Sequence, residues 1–346
     1  MLPRRVFLNH VSHYVPETVL DNRFFEGILD TTDAWIRGRV GIAERRTMSD
    51  YRGSFPVFEI ARRAVDRLVE TTGFDLGCVD LILSASCTDD LQYPGPGNMI
   101  SQHYGLRVPA FQLKNACSSV VYALEVARGL LQLGSHRRIL IVNGEPFTIQ
   151  TDYADRTSAI LFGDAASAIV VSNEPGALEL VDIAIGGRGA RVINATAPGA
   201  SPERSLRDVC PAPAGAREDE GHSSGSAPRF GRFQQSGREV FDFVVNEMPG
   251  EIGAFLARQQ LSIDDVDWFI GHQANLSMLD ALCKSLGVDS SKHLFNIDRF
   301  GNTSSAGWVT VLSEALADGR FESGDQLLIS AFGGGLAWGT LLARAT

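Results

Sequence analysis

The sequence predicts a duplicated α/β protein with a layered α/β/α/β/α architecture, and three observations predict it. The chain resembles itself at a shift of about 187 residues. Apolar strands alternate with helices at the lengths typical of βα units around a mostly parallel sheet. Its 346 residues exceed the usual size of one domain and supply enough apolar chain for two halves to share a core.

The elements follow that shift in order. Residues 59–86 (EIARRAVDRLVETTGFDLGCVDLILSAS) read as helix, turn and strand, and 251–273 (EIGAFLARQQLSIDDVDWFIGHQ) repeat the order, with Val79-Asp80 matching Val266-Asp267. The helix beginning near Cys117 corresponds to one beginning near Ser304, and the strand RRILIVNG to DQLLISAFGG. A last pair, DAASAIVVS and LAWGTLLAR, falls close to the shift. The halves are expected at 1–175 and 176–346, packed about a pseudo-twofold axis. Between the paired elements, 195–233 carry five of the fourteen prolines among Ser, Gly, Ala and charges. This stretch reads as an inserted loop, either a mobile surface segment or a cover over a site.

Composition excludes several functions. A net charge of -10 without any basic block argues against a nucleic-acid surface. Five cysteines, odd in number and never spaced C-x-x-C, argue against a disulfide framework and a zinc site, so no metal is expected. After Arg4 and Arg5 the apolar run Val6-Phe7-Leu8 is too short for a secretion signal, and no run approaches a membrane span. A cytosolic, reducing setting is expected.

The chemistry is expected where related helices of the two halves aim their N-termini at the shared axis. In KNACSSVVYALEVARGLL, Cys117 stands at the start of a helix that is apolar nearly all round. A buried helix start offers unpaired N–H groups and a positive dipole end, which favour a thiolate nucleophile. A free cysteine is also an ordinary small core residue, and that is the reading for Cys78, Cys87, Cys210 and Cys283. In the second half, His272 in GHQAN ends a strand and Asn302 in FGNTSSAGW precedes a helix. The histidines at 10, 13, 103, 136, 222 and 293 have no such setting. AFGGGLAWG puts three glycines after a strand, where backbone N–H groups can form an oxyanion hole opposite the thiol.

With these residues in hand, the chain resembles the thiolase-superfamily condensing enzymes, most closely the β-ketoacyl-acyl carrier protein synthase III family and its secondary-metabolism relatives. The likeness rests on DTTDAWIRGRVGIAERR, NACSS, DRTSAILFGDAASA, GHQAN, GNTSSAG and FGGGLAWG in order, and covers nearly all of the chain outside the insert. It implies a thiolase-like duplicated fold and an acyltransferase with no permanently bound cofactor. Cys117 would take an acyl group from acyl-CoA, with the N–H groups of Cys117 and Gly334 holding the oxyanion. His272 and Asn302 would stabilise the enolate formed as a malonyl thioester, carried by an acyl carrier protein, loses CO₂. Trp35, Arg39 and Arg156 would meet CoA, Asn275 would support His272, and Tyr93 would cross a homodimer interface to line the partner's acyl pocket.

Three departures stand out. In HQANLSMLDALCKSLG, Ser277 replaces an arginine, Asp280 adds an acid and Lys284 is the one base left, which weakens docking of an acidic carrier protein. Gly271 stands where proline is common. Gly307-Trp308 follows GNTSSA where smaller residues are usual, so the acyl or acceptor pocket is expected to differ. A competing activity is acyl transfer to a hydroxyl, amine or thiol, with His272 as base. A papain-type hydrolase conflicts with the duplication and lacks its local signature, and a catalytically dead paralogue would form no acyl adduct.

Overall fold

The computed structural model describes residues 4–48, 55–195 and 233–346. The insert expected at 195–233 therefore falls, apart from its two end residues, outside the described residues, as do Cys210 and His222.

Ten strands form one continuous sheet system. The first five are β1 (Phe7–Tyr14), β4 (Leu81–Ser84), β5 (Ala110–Gln112), β6 (Arg138–Pro146) and β7 (Asp164–Ser172). The other five are β8 (Leu178–Ala190), β11 (Trp268–Gly271), β12 (His293–Leu294), β13 (Gln326–Gly333) and β14 (Gly335–Ala345). Two short ribbons complete the strands among the described residues, β2 (Thr18–Asp21) with β3 (Glu44–Thr47) and β9 (Ile193–Ala195) with β10 (Phe233–Gln235).

From one edge the strand order is β5, β4, β6, β7, β1, and from the other it is β12, β11, β13, β14, β8. Each parallel or antiparallel pairing in one set has its counterpart in the other. Among the described residues the two sets pair where Phe7 and Leu8 meet Glu179 and Leu178. The duplication is thus a repeat of pairing rules as well as of sequence.

The residues of β4, β6, β7, β11 and β13 are buried on both faces almost throughout, which explains their unbroken apolar runs. Side chains alternate between layers with the period of two that a strand imposes. Leu83, Ile141, Ile270 and Ile329 face an inner core, whereas Ile82, Leu140, Phe269 and Leu328 face outward. Numbered along the described chain, the helices are α1 (Asn22–Glu26), α2 (Asp33–Val40), α3 (Pro56–Thr72), α4 (Pro96–His103), α5 (Ser119–Leu133) and α6 (Arg156–Ala159). There follow α7 (Gly237–Asp242), α8 (Met248–Arg258), α9 (Leu276–Leu286), α10 (Ile297–Phe300) and α11 (Gly307–Ala317).

The inner core is filled by α5 and α11, through Leu124, Ala127, Trp308 and Leu312. Outside, α3 covers the first strand set through Ile60, Val65 and Leu68. On the opposite side α8 and α9 cover the second set through Ile252, Phe255 and Leu282. These are the five layers expected.

Two expectations are corrected. The shift does not hold for the last strand pair, because residues 147–163, with α6, separate β6 from β7 while Gly334 alone separates β13 from β14. Trp308 does not shape a substrate pocket. It is fully buried between the sheets, with no hydrogen-bond partner for Nε1. Gly271 has its own packing reason, since a Cβ there would lie 2.4 Å from Leu279 Cδ2.

Candidate active site

Cys117 sits just before α5, at a turn that the sequence closes on itself. Ala116 takes a left-handed φ of 48°, Ser118 Oγ donates to Asn115 O at 2.8 Å, and Ser119 Oγ donates to Ala116 O at 2.7 Å. The turn is held by serines, so the thiol is left half-exposed rather than packed away.

The second helix start reaches the same point. One turn of tighter helix, Ser304–Ala306, leads into α11, and Ser304 has φ 53°. Ser304 Oγ donates to Cys117 Sγ at 3.4 Å, a bond between residues 187 apart in sequence. That separation is the repeat shift itself, so the contact is what a pseudo-twofold axis at this spot requires.

Asn302 is fixed by the same turn. Its Oδ1 accepts from the Ser304 N–H at 2.9 Å, which leaves Nδ2 as the donor it can offer. Its backbone is pinned to the first half, accepting from Gly163 N and donating to Leu161 O. His272 follows β11, with its N–H bonded to Ser330 O at 2.8 Å and its ring edge-on to Phe332 at 4.9 Å. The ring is buried and Nδ1 has no hydrogen-bond partner. Burial lowers His272 from its ordinary value to about 4, so the imidazole is neutral near pH 7.

Phe332 leads into the glycine corner. A Cβ on Gly333 would lie 2.7 Å from Cys117 N and 3.2 Å from Ser118 N, so the missing side chain is what lets β13 approach the start of α5. Gly334 lies one step further, where a Cβ would be 3.0 Å from Ile193 O and 3.6 Å from Ala116 Cβ. Beside this corner a hollow of about 470 Å³ is lined by residues that include Asn115, Tyr122, Gly187 and Leu336.

Trp35 on α2 is 42 % exposed and carries the Arg156 guanidinium 5.1 Å above its ring. Arg156 also donates to Asp30 O at 2.9 Å. Arg39, in the last turn of α2, is exposed, and its carbonyl accepts from Ser277 Oγ at 3.2 Å. Tyr93 is 81 % exposed, near in sequence to the exposed Leu91. Asn275 is the N-cap of α9, with its Oδ1 accepting from Met278 N at 3.3 Å. Among the described residues no hydrogen bond joins Asn275 to His272.

The cysteine assignment needs correcting. Cys283 is a core residue and Cys78 is exposed beside Asp75, but Cys87 belongs to the site. Its Sγ lies 3.0 Å from Ser304 Oγ, so two thiols share one hydroxyl. Behind Cys87 lies a wholly buried carboxyl, Glu145. The described residues include no group of three or more metal-ligating side chains and no helix long and apolar enough to cross a membrane.

Residues 111–189 match the model of 3-oxoacyl-[acyl-carrier-protein] synthase III, and 256–345 match the model of its C-terminal part. A β-ketoacyl-[acyl-carrier-protein] synthase III of Deinococcus deserti is 37 % identical over 94 % of this chain and 87 % of its own. The chain belongs to the 3-oxoacyl-[acyl-carrier-protein] synthase III family.

Another family member, from Halalkalibacterium halodurans, is 32 % identical over 97 % of this chain and 95 % of its own. Among solved structures, the Thermus thermophilus synthase III superposes with a TM-score of 0.84 at 31 % identity, covering 98 % of this chain and 99 % of that one. A priming β-ketosynthase of the R1128 polyketide pathway gives 0.83 at 26 %, covering 100 % and 98 %. Within this synthase III fold, the sequence places a helix start near Ser304 but assigns its hydroxyl no role, reads Cys87 as a core residue, and does not single out Glu145 or Gly333. Ser304 was legible as the shift partner of Cys117. Cys87 and Glu145 carried no motif, and only the folding of β4 and β6 side by side brings them beneath the nucleophile candidate.

Proposed function

We infer that the protein is an acyltransferase of the condensing type, which loads an acyl group from acyl-CoA onto Cys117 and joins it to a malonyl thioester with loss of CO₂. Splitting the reaction at an acyl-enzyme divides one difficult step into two. The observation that carries the reading is the meeting of the two helix starts at Cys117 and Ser304, with Asn302 held by the same turn.

In the first step the Cys117 sulfur attacks the thioester carbonyl, CoA leaves as thiolate, and the N–H groups of Cys117 and Gly334 hold the oxyanion. In the second, the malonyl carboxylate departs as CO₂ and the enolate oxygen accepts hydrogen bonds from His272 and from Asn302 Nδ2. A neutral imidazole suits that task, because it donates without being a strong acid. The enolate carbon then attacks acyl-Cys117 and releases the sulfur. Trp35 and Arg156 form a paired aromatic and cationic face suited to an adenine, with Arg39 nearby for phosphate. Tyr93 would enter the acyl pocket of a second copy, making a homodimer, and a cytoplasmic location fits soluble thioester substrates. The functional halves would be 1–175, bearing the thiol, and 176–346, bearing His272 and Asn302.

Acyl transfer to a hydroxyl, amine or thiol remains the second reading, favoured by the exposed Ser277 and Asp280 on α9. It asks His272 to hold a proton, which its burial opposes. Incubating the protein with acyl-CoAs of varied chain and a malonyl-carrier protein, with mass spectrometry of protein and product, decides the matter. The expected result is an acyl adduct on Cys117 and a product two carbons longer with CO₂ released. An ester or amide lacking malonyl carbons would establish the second reading, and no adduct from any acyl-CoA would end both.

A further inference from the structure

The Ser304 hydroxyl has one hydrogen to give and two sulfurs beside it. It gives the hydrogen to Cys117 Sγ at 3.4 Å. Cys87 Sγ lies 3.0 Å from the same oxygen, and with the serine hydrogen already used, the Cys87 S–H is the donor there. The order of donation is therefore fixed, from Cys87 to Ser304 to Cys117. Each hydrogen bond in such a row polarises the next and strengthens it.

The backbone holds this arrangement at a cost. Ser304 is fully buried with φ 53°, a left-handed conformation in which glycine is at ease and serine is not. Its N–H is fixed on Asn302 Oδ1 at 2.9 Å. One oxygen of the buried Glu145, Oε1, accepts from the Cys87 N–H at 2.9 Å and from Ser305 Oγ, so it ties the Cys87 backbone to the residue that follows Ser304. A serine kept in a strained turn, with a thiol pinned beside it, indicates that the hydroxyl itself has a use.

We propose that the Ser304 hydroxyl is a catalytic hydrogen-bond donor to the Cys117 thiolate, and that Cys87 is a positioning residue that holds this hydroxyl on the sulfur. The inference rests on the acyl-enzyme reading above. Under that reading the Cys117 sulfur carries negative charge at two moments. The first comes once its proton has gone to solvent and its electron pair forms the bond to the acyl carbon, from which CoA leaves as thiolate. The second comes when the enolate carbon takes the acyl group and the C–S bond breaks with its pair on sulfur. At both moments the hydroxyl donates to a charged acceptor, the stronger kind of hydrogen bond, and no proton leaves Ser304 or Cys87.

The titratable groups around the turn leave this task to the hydroxyl. Burial pushes Cys87 far up, so it remains a thiol with a hydrogen to donate and does not rival Cys117 as nucleophile. Burial likewise pushes Glu145, at the end of β6, well above the usual carboxylate range. It lowers His272, after β11, to about 4. Neither group sets a charge against the sulfur near pH 7. Lys114, ahead of the turn, is paired with Asp89. Ser304 touches the reacting sulfur, whereas Cys87 acts through Ser304.

The test compares wild type with S304G, S304A, C87A and C87S. Alkylation of Cys117 by iodoacetamide is followed from about pH 6 to 10 with the site mapped by mass spectrometry, and acyl-Cys117 formation is followed separately by rapid quench. S304G suits the left-handed turn and removes the hydroxyl. In S304G and S304A the midpoint of the alkylation profile should rise by about one pH unit with the high-pH rate unchanged, and acylation near neutrality should fall about tenfold. C87A, which frees the hydroxyl to turn away, should move the midpoint the same way by less. C87S, which restores a donor, should return it to that of wild type. An S304G midpoint equal to wild type, whatever the high-pH rate, overturns the proposal, because a packing role changes the rate without moving the midpoint. Coincident C87A and C87S profiles overturn the role of Cys87. If S304A does not fold, S304G decides. Failure of wild type to form any acyl adduct would instead overturn the reading of function, and the alkylation profiles would still judge the hydroxyl.

Discussion

Cys117 and Ser304 hold equivalent places in two copies of one helix start, 187 residues apart, yet they present opposite surfaces. The first start is half-open, its serines turned inward onto Asn115 and Ala116, and Gly333 leaves space beside its N–H groups. The second is closed: Ser304 and Ser305 are fully buried and spend their polar atoms on Cys117, Asn302, Asn143 and Glu145. Duplication brings equivalent residues together at an axis, and divergence then lets one copy react while the other holds it.

The largest test makes the two starts alike. Cys117→Ser should lower acyl-enzyme formation by about 10³-fold or more, since a hydroxyl at a helix start is a far poorer nucleophile than a thiolate. Survival of an acyl adduct at residue 117 or elsewhere, seen by intact mass, would remove Cys117 from its role. Next come the groups of the second half. His272→Ala and Asn302→Ala should each cut condensation by about 10² to 10³-fold while acylation continues. Equal losses in both steps would show that these side chains hold the fold of the site and not the enolate.

Gly333→Ala follows, pushing a methyl to 2.7 Å from Cys117 N. Acylation should drop by about 10²-fold, as for loss of one oxyanion donor. Gly334→Ala, whose methyl meets Ile193 O at 3.0 Å and which keeps its N–H, should cost less, and the reverse order would show that access to Cys117 N does not limit acylation.

A smaller effect concerns acid. His272, near 4 in the fold and about 6.5 unfolded, binds fewer protons folded than unfolded between those values. Its contribution is fully present above the unfolded value and is lost as pH falls from about 6.5 toward 4, by about 3 kcal/mol. His13, also buried and lowered to about 4, adds a loss of the same sign. Chemical denaturation at both ends of that window should show His272→Asn losing less stability than wild type. Identical losses would mean that His272 is not held neutral by burial. The smallest expected change is on α2, where Trp35→Ala should raise KM for acyl-CoA about tenfold with kcat unchanged. A fall in kcat alone would deny Trp35 its binding role.

Much was legible before folding because it repeats or has a period. The matching Val-Asp steps, the apolar strands and the helix after Cys117 declared the halves, and family motifs singled out His272, Asn302, Trp35 and Arg156. What stayed hidden depended on pairs without pattern. Nothing about Cys87 separated it from Cys283, though one lies under the site and the other in an outer core. Nothing about Trp308 said that it would fill the space between sheets instead of a pocket.

By itself the sequence determined the doubled strand-and-helix order and which residue types could do chemistry, because local periodicity and helix starts are properties of neighbouring residues. The tertiary structure alone decided that Ser304 touches Cys117, that Asn302 spends its Oδ1 on the Ser304 N–H, and that Glu145 is fully buried with Oε2 unpaired. Those outcomes depend on how two sheets close over two helices, and the resulting burial sets whether a carboxyl or an imidazole is charged.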